Sequence, residues 1–128
     1  MAKKVVFVDD SKTILVSVEM ALEELVESGA ISFEFFTNPL ELLESVKSAK
    51  LEYDLLFTDI NMPEMNGLTL AENLKSIDNI KNKPIIALTT ESSTEMKMKG
   101  KEIGIAGWVV KPFTDEKIVM AVKKVLGI

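Results

Sequence analysis

The sequence predicts a single α/β domain, in which a five-stranded parallel sheet is doubly wound with helices on both faces. Five short apolar segments alternate with five longer segments whose apolar residues recur with helical period, and short loops connect them. The apolar run of residues 55–57 is unbroken, which is typical of a strand buried on both faces of a parallel sheet. A chain of 128 residues has room for one core, so residues 1–128 are expected to form one domain.

The predicted strands determine the topology. They cover residues 4–8, 31–37, 55–57, 85–88 and 107–110. Right-handed crossovers with helices on both faces allow the strand order 2-1-3-4-5, which makes a three-layer sandwich. In this order the first and third strands lie side by side where the winding reverses. Ligands of open α/β sheets bind at that point, beyond the carboxyl ends of the strands.

The first two helices have recognisable ends. Apolar residues of helical period extend from Ser11 to about Ser28, and Gly29 is expected to end this first helix. Asn38 is the expected N-cap of the second helix, because Pro39 follows it at the first helical position.

The other three helices follow the third, fourth and fifth strands. The third helix is expected to end near residues 78–79. Ser92 and Glu95 predict a capping box at the start of the fourth helix. Thr114 is the expected cap of the fifth and last helix.

Composition excludes several functional classes. The chain has no cysteine and no histidine, so thiolate or imidazole nucleophiles and metal ligands are absent, and it cannot carry a phosphohistidine of its own. All 15 basic residues are lysines and the net charge is −5, which argues against nucleic acid as a partner. No apolar run approaches the roughly 20 residues that span a bilayer, and the start lacks a secretory signal. We expect a cytoplasmic protein without membrane insertion.

Acidic residues follow the two strands that are predicted to be neighbours. Asp9 and Asp10 follow the first strand and Asp59 follows the third. Three converging carboxylates repel one another unless a cation lies among them, and oxygen ligands favour Mg²⁺, with Mn²⁺ as a plausible substitute. Asp10 and Asp59 are the expected direct ligands, the backbone carbonyl of Asn61 is a third, and Asp9 acts through water or orients the others.

Asp59 has a second expected role as a nucleophile. A carboxylate can attack phosphorus and form an acyl phosphate. Lys111, at the end of the fifth strand, offers a positive charge to a phosphoryl oxygen, and Thr89, at the end of the fourth strand, offers a hydroxyl donor. The new phosphate can draw both side chains inward and shift their loops, which makes a switch.

Four motifs in register resemble the response-regulator receiver domain, and in particular CheY-like single-domain chemotaxis regulators. They are VDD at Asp9 and Asp10, TDINMPEMNG around Asp59, LTTE at Thr89, and GWVVKPF around Lys111. The resemblance covers the whole chain. It implies a flavodoxin-like fold whose known strand order is 2-1-3-4-5.

The resemblance also implies the roles of individual residues. Asp59 would be phosphorylated by a partner histidine kinase, Thr89 and Lys111 would bind the phosphoryl group, and the bond from Lys111 to Pro112 would be cis. The implied Mg²⁺ ligands are Asp9, Asp10, Asp59 and the Asn61 carbonyl.

Three further residues take their roles from the same resemblance. Trp108 replaces the smaller aromatic ring that swings inward when Thr89 moves. Asn61 and Glu91 match positions that tune hydrolysis of the acyl phosphate. Such a chain catalyses its own phosphorylation and dephosphorylation only, and is a signalling phosphoacceptor rather than a turnover enzyme.

For a chain that is complete as given, the output is expected at the surface of the fourth helix, fifth strand and fifth helix. Residues 91–128 hold seven lysines and five acids, a charge of +2, whereas residues 1–90 hold eight lysines and fifteen acids, a charge of −7. The positive end suits an acidic partner surface, such as the flagellar motor switch protein. We expect a monomer, with a phosphatase as a further partner.

Other interpretations remain open at this point. Asp9 and Asp10 could simply cap the first helix, and the lysine excess could be a solvated face. A flavin-binding flavodoxin would have the same fold, but Asp9 and Asp10 would repel the phosphate of its flavin. A Mg²⁺-dependent phosphatase or nuclease would need a general acid or base that the sequence lacks. A phosphorelay intermediate, which passes its phosphoryl group to a second histidine protein, is the main alternative to chemotaxis.

Overall fold

The computed structural model describes residues 2–128, which contain one parallel sheet with the strand order β2-β1-β3-β4-β5. All four strand pairings are parallel. The predicted fold class and strand order are therefore confirmed. The strands are β1 (Lys3–Val8), β2 (Ile31–Phe36), β3 (Leu55–Thr58), β4 (Ile85–Thr89) and β5 (Gly107–Val110).

Six helices cover the two faces of the sheet. They are α1 (Lys12–Ala21), α2 (Glu23–Glu27), α3 (Pro39–Lys47), α4 (Gly67–Lys75), α5 (Thr94–Ile103) and α6 (Asp115–Leu126). Among the helices of residues 2–128, none is both long and apolar enough to cross a membrane.

The core lies in two main layers, one on each side of the sheet. Val5 and Phe7 of β1 point toward α1 and α6, whereas Val6 and Val8 point toward α3 and α4. This alternation is the period of two that every strand imposes on its side chains. The rings of Phe7 and Phe57, on neighbouring strands, stack with centroids 4.4 Å apart and planes 3° apart.

The predicted first helix is in fact two helices, because the backbone leaves helical geometry at Leu22 (φ −98°, ψ 3°). Leu22 is fully buried in the same core layer as Leu15 and Val18. The apolar period therefore continues across the break, and so the sequence pattern did not reveal it. With this division, the fourth and fifth predicted helices are α5 and α6.

Most helix starts were predicted correctly, but one cap was wrong by one residue. Asn38 and Thr114 cap α3 and α6 through their side chains, as expected. Helix α5 is capped by Ser93 and not by Ser92, because the Ser93 hydroxyl accepts a hydrogen bond from the Met96 N–H at 3.2 Å. Two adjacent serines have the same capping chemistry, so only the backbone path selects between them.

Several element ends also differ from the predictions, since β1 begins one residue early and β3 and β4 each extend one residue further. Helix α4 ends at Lys75, before the expected residues 78–79, and Ser76 and Ile77 continue in turns. Strand β2 ends at Phe36, one residue early. Element ends are set by the last hydrogen bond of a ladder or turn, which apolar patterning does not define.

Candidate functional site

The register of β1 and β3 brings two carboxylates to the same edge of the sheet. Val8 pairs with Thr58, the last residue of each strand, and Asp9 and Asp59 follow directly. The Asp59 N–H donates to the Val8 carbonyl at 3.1 Å, which extends the ladder by one residue. Parallel alignment of the two strands therefore determines the separation of the two acids.

Asp9, Asp10 and Asp59 form an acidic cluster in which one carboxylate oxygen of each lies within 4.8 Å of those of the other two. Asp9 and Asp59 are buried, with 2% and 8% of their surface exposed, whereas Asp10 is exposed. Three oxygen donors with one open to solvent fit a hard divalent cation, which could enter from the Asp10 side. The cluster can therefore hold a metal ion.

Asp9 is held by hydrogen bonds on both carboxylate oxygens. Its Oδ1 accepts from the Ser11 N–H at 2.9 Å, and its Oδ2 accepts from the Lys111 ammonium at 2.6 Å. Burial raises the pKa of Asp9, and although these two bonds oppose the effect, the pKa stays above its ordinary value. Asp9 is thus a carboxylate for which ionisation is costly, mainly because it is buried.

Lys111 bridges the two buried acids. Its ammonium lies 2.6 Å from Asp9 Oδ2 and 3.4 Å from Asp59 Oδ2. Its backbone N–H donates to the Thr89 carbonyl at 2.9 Å, and its bond to Pro112 is cis, as the resemblance implied. One lysine against three ionised carboxylates leaves a local charge of −2, so the cluster still favours a further cation.

Asp59 presents one oxygen to the protein backbone and one to Lys111. The Ile60 N–H donates to Asp59 Oδ1 at 2.7 Å. Asp59 Oδ2 accepts a longer contact from the Lys111 ammonium, at 3.4 Å. The carboxylate is therefore oriented, yet the oxygen facing Lys111 is not tightly held.

Thr89 ends β4 at the same edge of the sheet and is fully buried. Its hydroxyl accepts a hydrogen bond from the Glu91 N–H at 3.1 Å. A hydroxyl can accept and donate at the same time, so this bond leaves Thr89 able to donate to a ligand.

Trp108 connects β5 to the loop that follows Thr89. Its indole N–H donates to the Glu91 carbonyl at 2.7 Å, and its ring is half-buried against Ile60 and Ala87. A Cβ added to Gly100 of α5 would lie 2.9 Å from Cζ3 of the indole, so the ring rests directly on the helix backbone. The large indole thus fits because residue 100 has no side chain.

Asn61 follows Asp59 by two residues in the chain. It is exposed in the loop after β3, and its side chain forms no hydrogen bond with the described residues. Its expected role concerned the backbone carbonyl and hydrolysis, neither of which needs a side-chain bond in this state.

Gly67, which sequence reasoning missed, supports the acceptor loop. Its N–H donates to the Ile60 carbonyl at 2.8 Å, and a Cβ at this position would collide with the Asp59 carbonyl oxygen and lie 2.9 Å from Ile60 Cα. Helix α4 therefore begins in direct contact with the backbone of Asp59. The available signal was a glycine immediately after the N-cap Asn66, where an ordinary helix former is usual.

Comparison with known proteins identifies a family and a group of relatives. The profile of the response regulator receiver domain matches residues 5–123. The chain is 33% identical to chemotaxis protein CheY1 of Helicobacter pylori over 124 residues, which cover 97% of each chain. It is 32% identical to the sensor histidine kinase CheAY of the same organism over 94% of this chain, but spans only 14% of that longer protein.

A solved structure has the same fold as this chain. The structure of CheY4 of Vibrio cholerae at low pH superposes with a TM-score of 0.86 at 34% identity, and the match covers 98% of this chain and 99% of that one. The match spans both core layers and the edge of the sheet that carries the acidic cluster.

Proposed function

This chain belongs to the response-regulator receiver domain family, and from that premise we propose that it is a phosphoacceptor switch of a two-component signalling pathway. The observation that carries the proposal is the acidic cluster of Asp9, Asp10 and Asp59 with the Lys111 ammonium beside it. Residues 1–128 act as one receiver domain.

Asp59 is the phosphoacceptor. One of its carboxylate oxygens attacks the phosphorus of a phosphohistidine, so that a P–O bond forms, the P–N bond breaks and the imidazole leaves with the electron pair. The chain has no histidine, so the donor is a partner histidine kinase. The backbone bond to Asp59 Oδ1 orients the carboxylate for this attack.

Mg²⁺ would be held by Asp9, Asp10, Asp59 and the backbone carbonyl of Asn61, and Mn²⁺ could replace it. When bound, the ion neutralises negative charge on the phosphoryl oxygens. The donor set fits the ion because it consists only of oxygen atoms and includes the exposed Asp10.

Lys111 and Thr89 bind the phosphoryl group. The ammonium already lies between two carboxylates, so a short movement from Asp9 toward a phosphoryl oxygen suffices. When the Thr89 hydroxyl turns to donate, the loop at Glu91 is affected, because that hydroxyl accepts the Glu91 N–H. Trp108 follows, since its indole N–H is bonded to the Glu91 carbonyl.

The chain is a signalling protein and not a turnover enzyme. It catalyses phosphorylation and hydrolysis of its own Asp59, and Asn61 and Glu91 tune the hydrolysis. A phosphatase is a further partner that shortens the lifetime of the acyl phosphate.

The output surface consists of α5, β5 and α6. It includes the exposed Met98 and Met120, and residues 91–128 carry a charge of +2. The relatives named as chemotaxis proteins support an output in chemotaxis, in which this surface of a cytoplasmic monomer binds the acidic face of a flagellar motor switch protein.

Phosphorylation of Asp59 is tested with phosphoramidate, a small donor that has the P–N bond of phosphohistidine. With Mg²⁺ present, intact-mass spectrometry should show one added phosphoryl group on the wild type and none on Asp59→Asn. The matched control is Asp78→Asn, because Asp78 lies on the surface with 98% of its side chain exposed, and this variant should be labelled like the wild type. Labelling of Asp59→Asn would refute the proposed acceptor.

The output surface is tested by charge reversal. Beryllofluoride with Mg²⁺ serves as a stand-in for the phosphoryl group on Asp59. In this state, the variant Lys97→Glu/Lys101→Glu on α5 should capture less of the motor switch protein than the wild type does. The control is Lys47→Glu/Lys50→Glu, which has the same change in charge near α3. Equal loss in both variants would show that net charge, and not this surface, determines binding.

A further inference from the structure

A groove between α1, α2 and β2 combines an apolar floor with an acidic rim. Its volume is about 500 Å³, and its walls are formed by Glu19, Met20, Glu23, Val26, Glu27 and Phe33. Phe33 pairs with Val5, in the middle of β1, and therefore lies away from the end of the sheet that holds the acidic cluster. The groove belongs neither to that site nor to the output surface.

The apolar part of the groove is unusually exposed. Met20 is 67% exposed and Val26 is 40% exposed. The apolar surface continues along α1 to Val16, one turn before Met20, and along β2 to Phe35, whose ring centroid lies 5.8 Å from that of Phe33. Contiguous exposed apolar residues with a polar rim are typical of a protein-binding surface.

The rim carries uncompensated negative charge. Glu19, Glu23 and Glu27 follow one another at intervals of four residues, and within residues 2–128 none of them forms an ion pair. Residues 13–29 contain four glutamates and no basic residue. Glu23 and Glu27 lie four residues apart on α2, where like charges destabilise a helix, so the arrangement is unfavourable for the isolated chain.

We propose that this groove binds a basic amphipathic helix of a partner protein. Apolar residues of that helix would contact Met20, Val26 and Phe33, and its lysines or arginines would pair with the glutamates of the rim. Because the three glutamates line the same groove, a helix lying along it can present basic residues to them.

The chain's own basic helix is a poor occupant. Helix α5 carries lysines, but its apolar residues Met96 and Ile103 pack into the core of their own domain and leave only Met98 exposed. It therefore lacks the free apolar face that the groove requires, which favours a partner over a second copy of this chain.

The test uses the full chain and two synthetic 16-residue peptides of lysine and leucine. One peptide has its leucines at helical spacing, and the other is a scrambled isomer of the same charge. Fluorescence polarisation should show tighter binding of the amphipathic isomer, and backbone amide shifts in NMR spectra should map to α1, α2 and β2. The variant Glu19→Lys/Glu27→Lys should weaken binding about tenfold, and the exposed Met20→Ser should also weaken it.

The control variant is Glu41→Lys/Glu44→Lys on α3, which makes the same charge change at exposed positions and should bind like the wild type. Three outcomes would each overturn the proposal. They are equal binding of both peptides, no binding of either peptide, and amide shifts centred on Asp9, Asp10 and Asp59. Self-association of the free chain that is abolished by Glu19→Lys/Glu27→Lys would assign the groove to a second copy and also overturn it. None of these outcomes depends on phosphorylation of Asp59.

Discussion

The hydroxyl of Tyr53 is buried without a hydrogen-bond partner in the described part of the chain, and only 2% of the residue is exposed. Burial raises the pKa of this hydroxyl, so the folded state favours its neutral form. The ring contributes to the core layer beneath α3 and α4, but the oxygen contributes only a loss of hydration.

We expect Tyr53→Phe to stabilise the protein by about 1 kcal/mol, because it removes a buried polar atom and keeps the ring. Tyr53→Ala should destabilise it by about 3–5 kcal/mol through the cavity that it leaves. Urea unfolding followed by circular dichroism measures both. A loss of stability in Tyr53→Phe would mean that the hydroxyl has a partner, such as a buried water.

The pKa of Asp54 is lowered, in contrast to that of Tyr53. Burial alone would raise the pKa of Asp54, but hydrogen bonds from the Lys4 N–H at 2.8 Å and the Lys83 ammonium at 3.3 Å outweigh it. The positive charges of Lys83 and Lys3 act in the same direction, so the pKa lies below its ordinary value of 3.8. The folded state therefore favours the ionised form of Asp54.

A lowered pKa in the folded state gives stability that is complete above the unfolded value of 3.8 and is lost as the pH falls through the folded pKa. Asp54→Asn should thus cost about 1 kcal/mol at pH 7, and the difference from wild type should shrink as the pH falls below 3.8. Thermal unfolding across this range measures it. Asp78→Asn, at a far more exposed position, should change little, and a pH-independent cost in Asp54→Asn would point to lost packing instead.

At the scale of elements, the start of α4 is fitted to the loop that carries Asp59. A side chain at Gly67 would displace the Asp59 backbone, whereas a Cβ at Gly107 of β5 would have its nearest contact at 3.5 Å, an ordinary distance. Residue 67 must be glycine only because α4 contacts the loop that carries Asp59. Local sequence showed where α4 begins, but not how closely it would pack.

Gly67→Ala should destabilise the protein by about 1–3 kcal/mol and slow phosphorylation of Asp59, because the acceptor loop must move to admit the methyl group. Gly107→Ala should leave the labelling rate unchanged, with a much smaller effect on stability. Urea unfolding and the rate of mass increase with phosphoramidate measure the two effects. Unchanged labelling in Gly67→Ala would show that Asp59 is positioned independently of α4.

At the scale of the whole molecule, ligand binding to the acidic cluster should stabilise the entire chain, because the cluster exists only when β1 and β3 are paired. An ion present at about 100 times its Kd would add about 2.7 kcal/mol to the free energy of unfolding. Mg²⁺ should raise the Tm of the wild type and raise that of Asp10→Asn much less. Because Asp10 is exposed, Asp10→Asn should fold like the wild type. An equal rise in both would place the ion elsewhere.

The buried parallel strands that precede Asp9 and Asp59 were predictable from their apolar runs, whereas the strand order that brings the two acids together was only allowed by the pattern and was implied by the resemblance to the receiver-domain family. The break at Leu22 was not predictable, since the buried Leu22 side chain continues the apolar period on both sides. The bond from Trp108 to Glu91 and the contact of Gly67 with Asp59 each join an element to a loop that lies elsewhere in the chain. Such contacts depend on how packed elements meet, which periodicity does not specify.

The stacked rings of Phe7 and Phe57 lie two residues before Asp9 and Asp59 on the same pair of strands. A shift of one residue between these strands would separate the rings and turn every side chain of the shifted strand to the opposite face. The hydrophobic stacking therefore supports the register that sets how far apart the two charges lie. Substitutions in this aromatic pair should alter the chemistry at the sheet edge even though neither ring touches a reactant.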